Sequence, residues 1–196
     1  FHFANCAVSL AHASHYQSAS ISLGSHISRY NLDVRLLDEA EECVIDGLTL
    51  ISDRQLADTH TCIDHVKPNG TSHQQHKCIV DDSAHAVFNG KIIVRPHAQR
   101  TNSSQSSRNL LLSSAAQIDT KPQLEIFADD VKCAHGATVG QLEQEEIFYL
   151  ESRGLSELAA RNLLTYAFGA EIISRIPVTS LRQQLEQAVL NQTQGK

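Results

Sequence analysis

Between Ser18 and Val139 the apolar residues recur in short alternating runs, and this pattern limits the fold more than any other feature of the chain. The runs are Ile21 and Leu23; Leu32, Val34 and Leu36; Leu48 and Leu50; Cys78 and Val80; Ala84 to Phe88; Ile92 and Val94; Leu110 and Leu112; Leu124 and Ile126; Val131 and Cys133. A period of two sets alternate side chains on one face of a strand, so each run reads as a β-strand of roughly three to five residues. Asp46-Gly47, Asn69-Gly70 and Asn89-Gly90 read as tight turns, because these residue types tolerate positive φ. The polar, Ser-rich stretch from Gln99 to Asn109 reads as a solvent-facing loop. Such segments suit an antiparallel sandwich or a parallel β-helix, in which each coil buries its inward face by stacking on its neighbours. No single repeat length emerges to choose between them.

Composition narrows the interior. Only 5% of the 196 residues are aromatic, with no Trp and no Met, so the core must be built from Leu, Ile, Val and Ala. The formal charge of −6 comes without any clustering of Lys and Arg around aromatic residues, which excludes nucleic acid as the main partner. Five cysteines form no Cys-x-x-Cys pair and cannot all be disulfide-bonded, so a reducing compartment is expected: bacterial cytosol or plastid stroma. There is no apolar run near the length of a membrane span and no basic, hydrophobic leader at Phe1, so a soluble protein is expected. The chain starts without Met inside a patterned segment, which reads as a boundary within a longer protein.

After Gly140 the period becomes helical. Leu142, Glu146, Phe148 and Leu150 define a first helix, ended by Gly154. Ser156 caps a second that carries Leu158, Leu163, Phe168, Ile172 and Ile173, with Leu155 just ahead of the cap, and stops before Pro177, and a last amphipathic stretch runs from Ser180 to Asn191. The expected organisation is a β-body over 1–139 and a helical domain over 140–196. The middle helix carries more apolar surface than a lone helical hairpin hides, so the β-body or a protein partner must cover the rest.

The run Asp129-Asp-Val-Lys-Cys-Ala-His-Gly136 sets a thiol and an imidazole two residues apart at the end of the β-patterned region. In a strand Cys133 and His135 share a face and could present sulfur and nitrogen to one soft ion. Two ligands are half of a four-coordinate centre, so a metal held here needs groups from elsewhere. His60, His65, His73 and His76 lie close together before Cys78, but in strand and turn context without the spacing of a zinc site, and read mainly as hydrogen-bonded structural residues. The pairs Asp81-Asp82 and Asp129-Asp130 point to opposite faces of an extended chain, which argues against paired-carboxylate hydrolysis. There is no Gly-x-Ser-x-Gly elbow, P-loop or dinucleotide-binding turn.

The stretch from Thr120 to Gly154, with Thr120-Lys-Pro-Gln-Leu-Glu-Ile-Phe and the Asp-Asp-Val-Lys-Cys-x-His-Gly run at 129–136, resembles the C-terminal signature of the SufB/SufD family, scaffold subunits of the SUF iron–sulfur cluster assembly machinery. His60 to Cys78, Asp82 to Val94, Ala98-Gln-Arg-Thr101 and Asn109-Leu-Leu-Leu-Ser113 resemble the body of the family, while the first sixty residues fit weakly. The form of the 129–136 run is that of the SufD branch. The resemblance implies a right-handed parallel β-helix followed by a small helical domain, with a further helical domain upstream. It implies a non-catalytic scaffold that pairs its β-helix with SufB and docks the SufC ATPase on its C-terminal helices. The isolated chain would hold no cofactor stably, and a transient iron–sulfur cluster would form at the SufB/SufD join with His135 as a ligand shared with SufB. Cys133 would ligate, relay sulfur or only pack beside it. For the SufC-binding surface the sequence offers Leu155, Leu158, Phe168 and Ile172 as apolar anchors, ringed by Glu151, Arg153, Glu157, Arg161 and Glu171, with about half of the leucines expected to pack internally.

Two other classes remain open on the residues alone. A metal-binding β-helix enzyme, a lyase or hydrolase, would bind metal through the 60–78 histidines and turn over substrate. A self-associating β-solenoid would polymerise from an exposed end, or stop at a homodimer when isolated.

Overall fold

A computed structural model describes residues 1–194, so the last two residues of the helical segment expected over 140–196 lie outside the described residues. Ten strands come first: β1 (His2–Leu10), β2 (His15–Ser22), β3 (Ile27–Leu36), β4 (Glu42–Ile51), β5 (Leu56–His65), β6 (Thr71–Val80), β7 (His85–Val94), β8 (Asn102–Leu111), β9 (Gln117–Ile126) and β10 (Lys132–Gly140). Three helices follow, α1 (Gln144–Ser152), α2 (Glu157–Ile173) and α3 (Thr179–Gln194). Odd-numbered strands form one five-stranded sheet in the order β1-β3-β5-β7-β9, and even-numbered strands a second, β10-β8-β6-β4-β2. Every strand pairing is parallel, and the chain crosses from one sheet to the other at each turn, which makes a parallel β-helix. No helix among the described residues is long and apolar enough to cross a membrane.

The missing repeat length has a simple cause. His2 pairs with Ser28, 26 residues on, Leu56 with His85, 29 on, and His85 with Gln117, 32 on, so the coils differ in length. The corners absorb the difference. Ala13, Ala40, Asn69 and Arg100 occupy the same corner of successive coils, all with φ between 53° and 65°, and each turns the chain within one left-handed residue.

Strands of eight to ten residues replace the short ones expected from the sequence, because many of the inward positions are polar and break no strand. The Gln99–Asn109 stretch is the clearest correction. Most of it is strand β8, and Ser103, Gln105, Ser107 and Asn109 face the interior, each no more than 3% exposed. Asp46-Gly47 and Asn89-Gly90 are likewise not turns but lie within β4 and β7; only Asn69-Gly70 sits at a corner. The glycines serve close packing instead. A Cβ at Gly47 would overlap the His76 ring, and one at Gly90 would overlap the Gln105 amide.

Stacking in register turns these polar residues into columns. Cys43, Ser72, Ser103 and Cys133 form one, and Ile45, Gln74, Gln105 and His135 the next. Apolar layers of Leu32, Val34, Leu36, Ile63, Ile92 and Val94 fill the other side. Two histidines are wholly inside: His76 stacks on Phe88 with ring centroids 4.4 Å apart, and His65 Nε2 lies 2.9 Å from Ser72 Oγ.

Helices α2 and α3 cover the outer face of the even-numbered sheet, and α1 packs against α2. Ile172 and Ile173 of α2 and Val189 of α3 pack on Leu48, Leu50 and Ile79, all at most 5% exposed. At about 1.5–3 kcal/mol per fully buried aliphatic side chain, this contact fixes the docking. A polar cluster orients it: the buried Lys77 ammonium donates to Phe168 O at 2.9 Å and to Glu171, which also accepts from Gln75 at 2.7 Å, while Arg175 pairs with buried Asp46 at 2.9 Å. Ser156 caps α2 by accepting from Ala159 N, and Gly154 takes φ +96° after α1.

Two outcomes test the interior. Gly47→Ala should destabilise the protein by about 1–3 kcal/mol in urea unfolding, because the His76 ring cannot yield, while Gly140→Ala, in open space, should change little. Burial holds His65 and His76 down to about 4. The unfolded chain protonates them near pH 6.5, so their contribution is complete above that pH and falls by about 1.4 kcal/mol per unit per ring toward pH 4. The urea midpoint should therefore drop between pH 7 and pH 5, and His65→Gln should reduce the slope; an unchanged slope would reject the assignment.

Candidate functional site at the open end of the solenoid

Strand β10 is the last rung of its sheet and pairs only with β8. It is anchored at its start by Lys132 N donating to Thr101 O at 2.8 Å, and the corner before it is held by Arg100 N donating to Asp130 O. Among the described residues no later coil lies over it. As a result its inward-facing residues, which would be buried one coil earlier, are accessible: Cys133 is half-buried, and His135, Ala137 and Val139 are exposed. Ile126 and Phe127, at the end of β9 and just beyond it, add exposed apolar surface to the same end. Cys133 and His135 thus share a face, at the top of the two polar columns.

Their surroundings differ. Cys133 packs on the interior cluster around Cys43 and Leu32, and burial raises its thiol above the usual range, against a smaller lowering by a backbone hydrogen bond from Ser103. The sulfur is therefore a protonated thiol at neutral pH until a metal or a partner group displaces the proton. Beneath it Ser103 Oγ and Ser72 Oγ lie 2.7 Å apart, and Ser72 continues to His65. Beneath His135, Gln105 Nε2 donates to Gln74 Oε1, and Gln74 Nε2 to Thr61 Oγ1, both at 2.8 Å.

Among the described residues no three His, Cys, Asp or Glu side chains gather into a set able to hold a metal ion. The histidines of 60–78 are split by the strand alternation. His65 and His76 are inside; His60 Nε2 lies on the outer face 2.9 Å from Asp58 Oδ1, and His73 Nδ1 2.7 Å from Ser104 Oγ. All five cysteines are free.

The nine helical residues named from the sequence fall on two sides. Glu151, Arg153, Glu157 and Leu158 are exposed, Leu158 by 53%, and Leu155 and Arg161 are half-buried beside them. Phe168, Glu171 and Ile172 face the β-body: Ile172 is fully buried, Phe168 lies 4.4 Å under the Lys77 ammonium, and Glu171 holds Lys77. Hydrogen bonding from Lys77 and Gln75 lowers the Glu171 carboxyl below its usual range. The sequence reading did not single out Phe148, Tyr149 and Leu163 as a surface, yet they are exposed by 71%, 56% and 46%. The phase of α1 explains the omission: its buried residue is Ile147, so Phe148 points to solvent. An aromatic pair next to a buried Ile was the available signal.

The comparison with known proteins matches residues 1–168 to the family described as SUF system FeS cluster assembly, SufBD core domain. The chain is 48% identical over 189 residues to an iron-sulfur cluster assembly SufBD family protein of Synechocystis sp., covering 96% of this chain and 42% of that protein. It is 42% identical over 184 residues to the iron-sulfur cluster assembly protein SufD of Escherichia coli, covering 94% and 44%. It is 38% identical over 172 residues to the chloroplastic protein ABCI7 of Arabidopsis thaliana, covering 87% and 36%. The chain thus spans less than half the length of these relatives. The match extends through the first sixty residues, where the sequence alone gave a weak fit, and with the parallel β-helix and its free Cys133/His135 rung it leads to one conclusion: the chain belongs to the SufBD family of the SUF iron–sulfur cluster assembly system.

Proposed function

We propose that this chain is the core of a SufD-type, non-catalytic scaffold on which an iron–sulfur cluster is assembled as cargo. The observation that carries the reading is the uncovered last coil, which leaves inward-facing His135 accessible on an edge strand. An edge strand offers unpaired backbone groups to a second β-helix, and a partner docked there supplies the ligands that this chain lacks. In this reading the β-body, 1–139, pairs with SufB, and His135 ligates iron at the join. Cys133 has the lesser role, since its thiol is half-buried and its proton is retained. Without SufB the same edges favour a homodimer. The setting is the cytosol, or the stroma in a plastid.

The helical segment, 140–196, docks the SufC ATPase in this reading. Its exposed apolar residues Phe148, Tyr149, Leu158 and Leu163, with half-buried Leu155, lie on a segment that also carries Glu151, Arg153, Glu157 and Arg161, a mixture of apolar and charged groups suited to a protein partner. Phe168, Glu171 and Ile172 hold that segment to the β-body, so they act on docking through stability.

Anaerobic co-purification of the intact protein with SufB and SufC tests the assembly role. His135→Ala should lower bound iron and sulfide while leaving the subunit ratio unchanged; failure of the unsubstituted protein to join either partner would overturn the reading. Leu158→Asp should weaken SufC binding by about 10-fold or more with the melting temperature nearly unchanged. Ile172→Ala should do the converse in the isolated protein, costing about 2–5 kcal/mol of stability. A loss of stability in the Leu158 variant would remove the surface assignment.

A further inference from the structure

The two polar columns do not end alike. Under Cys133 the hydroxyls of Ser72 and Ser103 are bonded to each other, and Ser72 is bonded to His65. Under His135 the run of amides is directional: Gln105 donates to Gln74, and Gln74 to Thr61. Gln105 spends its N–H on the coil before it, and Gln74 spends its own across the interior on β5 of its own coil. Gln105 Oε1 is left as a buried acceptor without a hydrogen bond, in a side chain 2% exposed. Leaving such an atom unbonded costs about 1–3 kcal/mol, so its persistence calls for a partner. The residue in register with Gln105 on the coil ahead is His135, roughly 4.8 Å away along the sheet and on the same interior-facing side. The His135 ring is exposed and makes no hydrogen bond or ion pair among the described residues. Gly90 keeps the glutamine in place, since any side chain there would overlap its amide.

We propose that Gln105 is a positioning residue for His135: its buried carbonyl oxygen accepts the N–H of one imidazole nitrogen and presents the other nitrogen, unprotonated, outward to iron. A neutral imidazole ligand needs one nitrogen free and the other held, and a hydrogen bond to the second nitrogen selects the tautomer and the ring orientation. Gln74, itself held by Thr61 of the facing sheet, fixes the glutamine in turn, so the orientation of an exposed ring is set from inside the solenoid. This inference rests on the reading of His135 as a cluster ligand, and its test separates the two.

Ring 15N shifts of His135, assigned by comparison with His135→Ala, are recorded above pH 7.5 in the intact protein without metal, and in Gln105→Leu and Gln105→Glu. The unsubstituted protein should show one pyrrole-like and one pyridine-like nitrogen. Gln105→Leu should collapse both toward the average of a freely exchanging imidazole, and Gln105→Glu, which keeps an acceptor, should restore the split. The unchanged His65 and His76 signals report that the interior remains folded. Averaged shifts in the unsubstituted protein, or a split that survives Gln105→Leu, would overturn the proposal, and the first of these holds even if the leucine variant does not fold. In the complex with SufB, Gln105→Leu should weaken iron binding by roughly 10-fold. If His135→Ala leaves cluster content intact, the ligand reading fails whatever the tautomer; if it depletes the cluster while the split is indifferent to residue 105, only the positioning role fails.

Discussion

In-register parallel stacking is the constraint on which the rest of this structure depends. Each inward side chain rests on the residue at the same position one coil away, so every interior choice is made twice, once within its own coil and once along the axis. With few aromatic residues to fill space, the layers are narrow, and the larger interior groups need room made for them. Gly47 makes it for His76 and Gly90 for Gln105. The polar groups so admitted bond to neighbours within the stack, His76 to Thr49 and Gln105 to Gln74, while the Gln105 carbonyl oxygen stays without a partner.

The same constraint decides where the helices go. Outward residues of β4 and β6 repeat in register too, so Leu48, Leu50 and Ile79 form a single apolar strip on one outer face. An apolar strip alone would let a helix slide. Lys77, buried among them, binds only where Glu171 and the Phe168 carbonyl meet it, and Asp46 adds a second fixed point through Arg175. Burial lowers the Lys77 pKa, but the carboxylate of Glu171 opposes that shift. The pair is better understood as specifying the docking position than as adding net stability.

Much of the architecture was readable because apolar alternation and helical period follow directly from backbone geometry. The change of period at Gly140, the cap at Ser156 and the shared face of Cys133 and His135 all follow from that geometry. What stayed hidden has one physical origin. A serine or glutamine carries no sign of facing inward, and only the neighbouring coils, some thirty residues away in sequence, bury Ser103 and Gln105. Glycine gives the same ambiguity, since Asn89-Gly90 suits a tight turn and a close approach inside β7 equally well. For the helices the periodicity marked apolar positions but not which neighbour they meet. Ile172 turned to the β-body and Phe148 to solvent, because α2 packs on the sheet while α1 packs on α2.

A solenoid is held together by nearest-neighbour interfaces, so local opening begins at its ends, where a coil has one neighbour instead of two. β10 is such a terminal rung, with Gly136 and Gly140 in open space within it. The thiol and imidazole of this chain therefore lie on a strand whose fraying is opposed by a single interface. A subunit stacked on that end would quench the fraying, coupling the rigidity of the ligands to the presence of the partner.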